Sequence, residues 1–252
     1  LIQRFTASSP TPDYIERVAL AFEAGRFTAP NGTRFGTGER GDLAATLAAV
    51  LLDEDVHSDT ALSDPTAGKI REPILKYLAW AHAFDVANAD ADDTWLLYDT
   101  RSTATRLGQH PFRSPSVFNF YRPGYVAPAS ESGAADLTAP ELQVITSGST
   151  NGYTNFMTRF TFERVRQGDV QIFVPDYTSE LALASTPEQL VDHLDTLLTG
   201  GQLGDQDRSA IIAAVEALEI REDADQAASD RRKRVQVAVQ LMTNTAAFAI
   251  VR

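Results

Sequence analysis

Four histidines, His57, His82, His110 and His193, are the side chains best suited to moving a proton near neutral pH. No two stand at the i, i+4 spacing of a helical zinc site, and the pattern HExxH is absent. His82 and His193 fall in stretches of helical periodicity, where a histidine is more often a surface or core residue than a catalyst. His110 differs, because it stands in a segment rich in proline and aromatic residues. Serine chemistry finds no GxSxG elbow; Ser147-Gly148-Ser149 falls inside an expected helix rather than on a strand-to-helix turn. The glycines at 32, 36, 38 and 41 are not followed by GK[ST], so they read as a turn and not as a phosphate loop. No catalytic set emerges.

Hard-oxygen chemistry has one candidate. Asn88, Asp90, Asp92 and Asp99 occupy positions 1, 3, 5 and 12 of a calcium-loop template, with Leu96 at position 9. Position 6 is Asp93 where the template wants glycine, and alanine-spaced aspartates also suit a solvated linker. Calcium is thus the one cofactor the sequence raises. Asp205 and Asp207 read as helix N-terminal acids.

Recognition chemistry is better represented. Lys69, Arg71 and Glu72 cluster ahead of Pro73, and the segment Gln109 to Pro128 carries Pro111, Pro115, Pro123 and Pro128 among Phe112, Phe118, Phe120, Tyr121 and Tyr125. Prolines at that density forbid a regular helix, while the aromatics are too many to leave in water. The expectation is an ordered coil pinned across a helical body, with Arg71 and Glu72 in a local ion-pair network that clamps it. His110, Phe112, Phe118, Asn119, Phe120, Tyr121 and Tyr125 are then the interaction candidates, joined by Lys69, Arg71 and Glu72. The functional reading is a polar, aromatic-lined groove whose tyrosine and phenylalanine faces can stack on sugar rings or on another protein, and Asn155 and Arg159, one helical turn apart, are expected to face it. The basic run Arg231 to Arg234 follows Asp223, Asp225 and Asp230 and reads as an i, i+4 salt-bridged surface.

Composition excludes several classes. The 252 residues carry a formal charge of -12, from 34 acids against 22 bases, so unaided binding to nucleic acid or to an anionic membrane surface is disfavoured. Cysteine is absent, which removes disulfides, thiolate metal sites and cysteine nucleophiles. No apolar run reaches the roughly 18 residues of a membrane span. The opening Leu1-Ile2-Gln3-Arg4-Phe5 reads as part of a helix that began earlier, in a longer precursor.

Helical signals position the rest. Thr11, Pro12 and Asp13 start a helix that Gly25 closes, and Leu43, Leu47, Val50 and Leu51 stripe a second. A third is expected from Asp64 or Pro65 to Phe84, kinked by Pro73 or truly starting near Arg71. Thr100 to Leu107 reads as a short helix. Another is expected to start after Asp136 or Thr138 and run through Phe156 and Phe160 to Arg166. Further helices begin at Thr186-Pro187, around Ile211, and at Ala224. Gln171-Ile172-Phe173-Val174 is the best strand-like run. The fold class is all-α: an irregular multi-helix bundle with a long ordered Pro/aromatic loop. Residues 1-252 read as a single helical domain, with a subdivision into 1-108, a loop at 109-138, and 139-252.

Several strings coincide with one family. They are Leu1-Ile2-Gln3-Arg4-Phe5 with Pro10, Tyr14 and Val18; Arg40-Gly41-Asp42-Leu43 leading to Leu51-Leu52-Asp53; and Gly68-Lys69-Ile70-Arg71-Glu72-Pro73. The fourth is Leu107-Gly108-Gln109-His110-Pro111-Phe112, continuing through Pro115 to Tyr121 and Pro123-Gly124-Tyr125. In this order they resemble the C-terminal half of the bacterial domain-of-unknown-function 1800 family. The resemblance implies a mostly helical, exported protein, often encoded beside a sulfatase-like companion, and it brings no catalytic residues to transfer. The reading is a structural or protein/glycan-interaction module, placed in the periplasm, at the cell surface or outside the cell by resemblance alone. Its partner would be another chain, the N-terminal part of a longer protein, or a surface glycan. The alternative is a hydrolase on extracellular polymers whose active site is shared with an absent N-terminal half.

Overall fold

A computed structural model describes residues 1-87, 98-167 and 170-252. In chain order the elements begin with α1 (Ile2–Phe5), α2 (Pro12–Ala24), β1 (Phe27–Thr28), β2 (Arg34–Phe35) and α3 (Leu43–Leu51). Then come α4 (Glu54–His57), α5 (Asp59–Ser63), β3 (Lys69–Ile70), α6 (Pro73–Ala83) and α7 (Glu131–Ala134). A 3-10 turn at Pro140–Gln143 leads to α8 (Ser147–Thr161), β4 (Arg166–Gln167), β5 (Val170–Gln171) and α9 (Thr178–Leu183). The chain ends through α10 (Pro187–Thr199), α11 (Asp205–Glu216), α12 (Ala224–Met242), α13 (Ala246–Ala249) and β6 (Ile250–Val251). No described helix is long and apolar enough to cross a membrane.

Helix dominates, but the all-α expectation needs correcting. Three two-stranded antiparallel ribbons are present among the described residues: β1 with β2, β3 with β6, and β4 with β5. Each strand has two residues, too few for an alternating pattern to show in sequence. In the β3–β6 pair Lys69 faces Val251 and Ile70 faces Ile250, joining segments far apart along the chain.

Two compact units form. Unit 1 comprises Leu1–Ile70, Ser116–Gln143 and Ile250–Arg252; unit 2 comprises Arg71–Pro115 and Val144–Ala249. In unit 1, α2 starts as its residues dictate: Thr11 Oγ1 accepts the Tyr14 N–H, Pro12 fills the first turn, and Gly25 ends the helix in left-handed conformation. Ala21, Ala45, Ala48 and Ala49 are buried, and such small side chains let α2 and α3 pack closely. Tyr14 is buried beside Ile2 and Val50, and its hydroxyl donates to the Val50 carbonyl. Arg17 clasps the buried Asp53 through Nε at 2.8 Å and Nη2 at 2.5 Å.

Unit 2 holds an aromatic core. Phe156 and Phe160 of α8 stack at 4.4 Å between ring centroids, and Tyr77 of α6 meets Phe156 edge-on at 5.3 Å. The indole N–H of Trp80 donates to the Tyr177 hydroxyl at 3.3 Å, so neither buried polar tip is orphaned. Around these rings α10, α11 and α12 contribute Leu190, Leu194, Ile211, Val215, Val235 and Val239.

Three expected helices differ from what forms. The third begins at Pro73, in line with the expected alternative of a true start near Arg71 and not with a kinked helix from residue 64, because a proline lacks the N–H an interior position needs and fits the first turn. Thr100 to Leu107 makes turns rather than a helix. The helix expected from 136 or 138 to 166 splits into the 3-10 turn and α8. Thr146 caps α8, exchanging hydrogen bonds with Ser149 in a capping box. Gly152, mid-helix, is there for contact: a Cβ would stand 2.5 Å from the Thr103 carbonyl oxygen.

The basic run also differs from its reading. Arg232 binds Glu163, and Arg234 donates to the Leu218 and Ala184 carbonyls at 2.7 and 3.2 Å. Asp230 holds Arg221 at 2.7 Å. These partners come from other elements, not from positions one turn away on α12.

Candidate functional site

Lys69 sits on β3, whose pairing with β6 fixes the direction of its side chain. The buried ammonium donates to the Gln3 carbonyl at 3.0 Å and forms an ion pair with Glu141 in the Pro140–Gln143 turn. The second carboxylate oxygen of Glu141 accepts the Ser8 hydroxyl at 2.9 Å, and Ser8 Oγ accepts the Ile70 N–H at 2.9 Å. Gln3 continues the network. Its amide donates to the Ser8 carbonyl at 3.0 Å and to Thr138 Oγ1 at 3.2 Å, and its oxygen accepts the Gly124 N–H at 3.3 Å.

Serine, lysine and a carboxylate together invite a nucleophile reading. Here the Ser8 hydroxyl already donates and accepts, and Ser8, Lys69 and Glu141 are all buried. The cluster is a brace. It ties α1, β3, the 3-10 turn and the Gly124 backbone together.

The aromatic segment from Ser116 onward is held by that brace. Tyr121 is buried and accepts a hydrogen bond from Arg4 at 2.8 Å. The Arg122 N–H donates to Gln143 at 2.8 Å, and the Tyr125 carbonyl accepts the Ala139 N–H at 2.7 Å. Phe120 and Tyr125 are half-buried. Ser116 and Asn119 close a tight turn, with Asn119 at φ 68° and its N–H bonded to the Ser116 carbonyl at 3.2 Å. At that turn the apolar side chains face water: Val117 is 95% exposed and Phe118 60%.

Arg71, Glu72, His110, Phe112, Asn155 and Arg159 belong to unit 2. Arg71 donates to the Phe248 carbonyl at 2.7 Å and lies 4.9 Å from that ring's centroid, and burial pulls its guanidinium below its ordinary value. Glu72 accepts from the Gln109 amide, whose oxygen accepts the Ile74 N–H at 3.1 Å. Gln109 thereby caps α6, whose own N-cap side chain makes no capping bond. This amide fixes the start of the aromatic segment to α6 within unit 2. His110 Nδ1 meets the Thr100 hydroxyl at 3.0 Å. Phe112 is fully exposed, with φ 58°. Asn155 and Arg159 lie exposed on α8, and Arg159 reaches the Tyr98 ring at 5.8 Å.

Of the calcium candidates, Asn88, Asp90 and Asp92 lie outside the described residues. Asp99 is described, and it pairs with Arg101 at 2.8 Å and with Arg106 at 2.5 Å. The hydrogen bond from Arg101 holds its carboxyl well below the usual range. Among the described residues no group of three or more His, Asp or Glu is placed to hold a metal.

A groove of about 930 Å³ opens in unit 1 along α2. Ile15, Val18 and Phe22 form its apolar wall, and Gln3 and Thr138 of the brace line it from the other side. A smaller depression of about 390 Å³ shares Ser9, Pro10, Thr11 and Thr66 with it and includes His57 and Asp55.

Residues 1–250 match the model of a family described as "Protein of unknown function (DUF1800)". The chain belongs to that family. The match runs over essentially the whole chain, which corrects the narrower likeness to a C-terminal half. None of the curated proteins matches this DUF1800 chain, and none of the solved structures does.

Sequence reasoning missed Gln3, Ser8, Thr138, Gln109 and Glu141. Glu141 follows Pro140 and so imitates a helix-start acid, whereas it is a buried counter-ion. Gln109 carried a signal: a loop glutamine beside a proline-started helix that lacks a Ser, Thr, Asp or Asn cap.

Proposed function

We propose that this DUF1800 protein is an exported interaction module that docks a second protein chain through the exposed apolar residues Val117 and Phe118 of unit 1. What carries the reading is exposure on an ordered turn: Val117 is 95% exposed and Phe118 60%, and Asn119, which closes the turn, holds a left-handed backbone conformation. Bulky apolar side chains kept in water on such a turn suit a contact made on binding. A protein surface is favoured over a glycan because Tyr121, one of the aromatic candidates, is buried and its hydroxyl is bonded to Arg4, which takes its ring out of reach of a sugar face. The hydrolase alternative draws no support from His110, whose Nδ1 is engaged by Thr100.

The companion to test is the sulfatase-like protein encoded beside family members. Co-expression of both chains with export signals, followed by tagged purification from the periplasm and medium, should recover a complex. Val117→Ser with Phe118→Ser should abolish it without moving the melting temperature, since neither side chain is buried. A complex that survives the double substitution would refute docking through this turn.

A further inference from the structure

Asparagine followed by glycine can react with its own backbone, and the chain carries that pair twice, at Asn31-Gly32 in unit 1 and at Asn151-Gly152 in unit 2. The glycine peptide nitrogen attacks the side-chain carbonyl carbon, a C–N bond closes a five-membered imide, and ammonia leaves with the displaced proton. Water then opens the imide at either carbonyl, leaving an aspartyl or an isoaspartyl residue. The step needs no oxidant and no enzyme. It does need a glycine nitrogen that can leave its hydrogen bond, and a backbone free to bring nitrogen and carbonyl together.

Both asparagines are exposed, so exposure does not separate them. Their backbones do. Asn31 stands at the tip of the β1–β2 hairpin, whose ladder is two pairs, Phe27 with Phe35 and Thr28 with Arg34. The Gly32 N–H is held there by one bond, to the Ala29 carbonyl at 2.8 Å. Space around Gly32 is open, with nothing within 4 Å of a Cβ built on it. The Asn31 side chain is already folded forward over that peptide, because its Oδ1 accepts the Thr33 N–H at 3.0 Å. The same donor polarises the carbonyl and stays on the oxygen as it takes up charge. Asn151 lies inside α8, where the Gly152 N–H belongs to the helical ladder and the glycine is buried, with the Thr103 carbonyl oxygen 2.5 Å from where a Cβ would stand. Opening an exposed hairpin tip costs little, whereas opening a packed helix approaches the cost of unfolding.

We propose that the Asn31-Gly32 turn is a site of spontaneous covalent modification, at which the Gly32 nitrogen captures the Asn31 side-chain carbonyl and the chain gains an isoaspartyl or aspartyl residue with one more negative charge. The isoaspartyl form has one extra carbon in the main chain. It displaces the Thr33 carbonyl from the Ala29 N–H, which it accepts at 2.9 Å, so the hairpin loosens as the chain ages. None of this rests on docking through Val117 and Phe118.

The test incubates the whole purified chain at mildly alkaline pH and follows it by peptide mass spectrometry, with enzymatic methyl transfer to isoaspartyl groups as the second readout. In the folded chain position 31 should convert at least about tenfold faster than position 151. In concentrated urea both backbones are free, and the two rates should converge. Gly32→Ala puts a methyl group beside the attacking nitrogen and should slow conversion at position 31 by about tenfold, leaving position 151 unchanged. Asn31→Gln should abolish the early acidic species on ion exchange, with a circular dichroism melt confirming that this exposed position leaves the fold intact. Equal rates at the two positions in the folded chain would overturn the proposal. So would a position 31 that converts only once urea is added, because the hairpin would then protect the pair that it is argued to expose.

Discussion

Replacing Glu141 by glutamine separates charge from packing at the centre of unit 1. Glutamine keeps the volume of the side chain and keeps an oxygen for the Ser8 hydroxyl. It leaves Lys69 buried, still bonded to the Gln3 carbonyl but without a counter-charge. Removing one partner of a buried ion pair costs about 3–5 kcal/mol. Against a total stability of about 5–15 kcal/mol that is a large fraction. At about 2–4 °C per kcal/mol for a chain of this size, the thermal transition should fall by about 6–20 °C. Circular dichroism melts at pH 7 measure it. The decisive comparison is Lys69→Met with Glu141→Leu, which removes both charges. It loses the bonds to Gln3 and Ser8, about 1 kcal/mol each, and gains a dry contact, so it should recover at least half of the fall. A double variant as unstable as Glu141→Gln, or a single variant within about 2 °C of the parent, would refute the argument that an uncompensated charge is what matters.

Other perturbations follow from the same geometry. Gly152→Ala should destabilise in urea melts, because its Cβ would press to 2.5 Å on the Thr103 carbonyl oxygen, whereas Gly148→Ala, with nothing closer than 3.8 Å, should stabilise by about 1 kcal/mol. A reversed order would refute the close-approach reading. Gln109→Leu removes the cap on Ile74 and the donor to Glu72, and should cost about 2–4 kcal/mol in the same melts. Lys76 should make stability rise with pH. Burial lowers its amine to about 8, below an unfolded value near 10.4, even though the Tyr153 ring 3.6 Å away favours the charged form. The unfolded chain then holds this amine's proton more tightly between pH 8 and about 10.4, so the Lys76 contribution climbs across that window. Near pH 10 it is opposed by the hydroxyls of Tyr14, Tyr77, Tyr153 and Tyr177, which burial holds above their ordinary value. Urea melts at pH 7, 8, 9 and 10 should show a shallower climb in Lys76→Met, and an unchanged slope would refute the assignment.

What the sequence makes legible is what its local chemistry decides. The starts of α2, α10 and α12 follow from Thr11-Pro12, Pro187 and Asp223, because caps and first-turn prolines act within four residues, although the Thr186 side chain makes no capping bond to α10. The aromatic segment is legible as non-helical for the same reason. Nothing local reveals that Lys69 meets Glu141 across 72 residues, or that Gln109 reaches Glu72 across 37. In the first case the local cue misdirects, because Glu141 imitates a helix-start acid. A charged residue satisfies the same local rules whether it ends in water or against a partner, and only the tertiary fold chooses between them. That choice bears on function. Because the long-range polar bonds of Arg4, Gln3, Lys69 and Glu141 fasten the backbone around Tyr121 and Gly124, the apolar side chains of Val117 and Phe118 are held in water by a braced turn, which lowers the ordering cost of any contact made there.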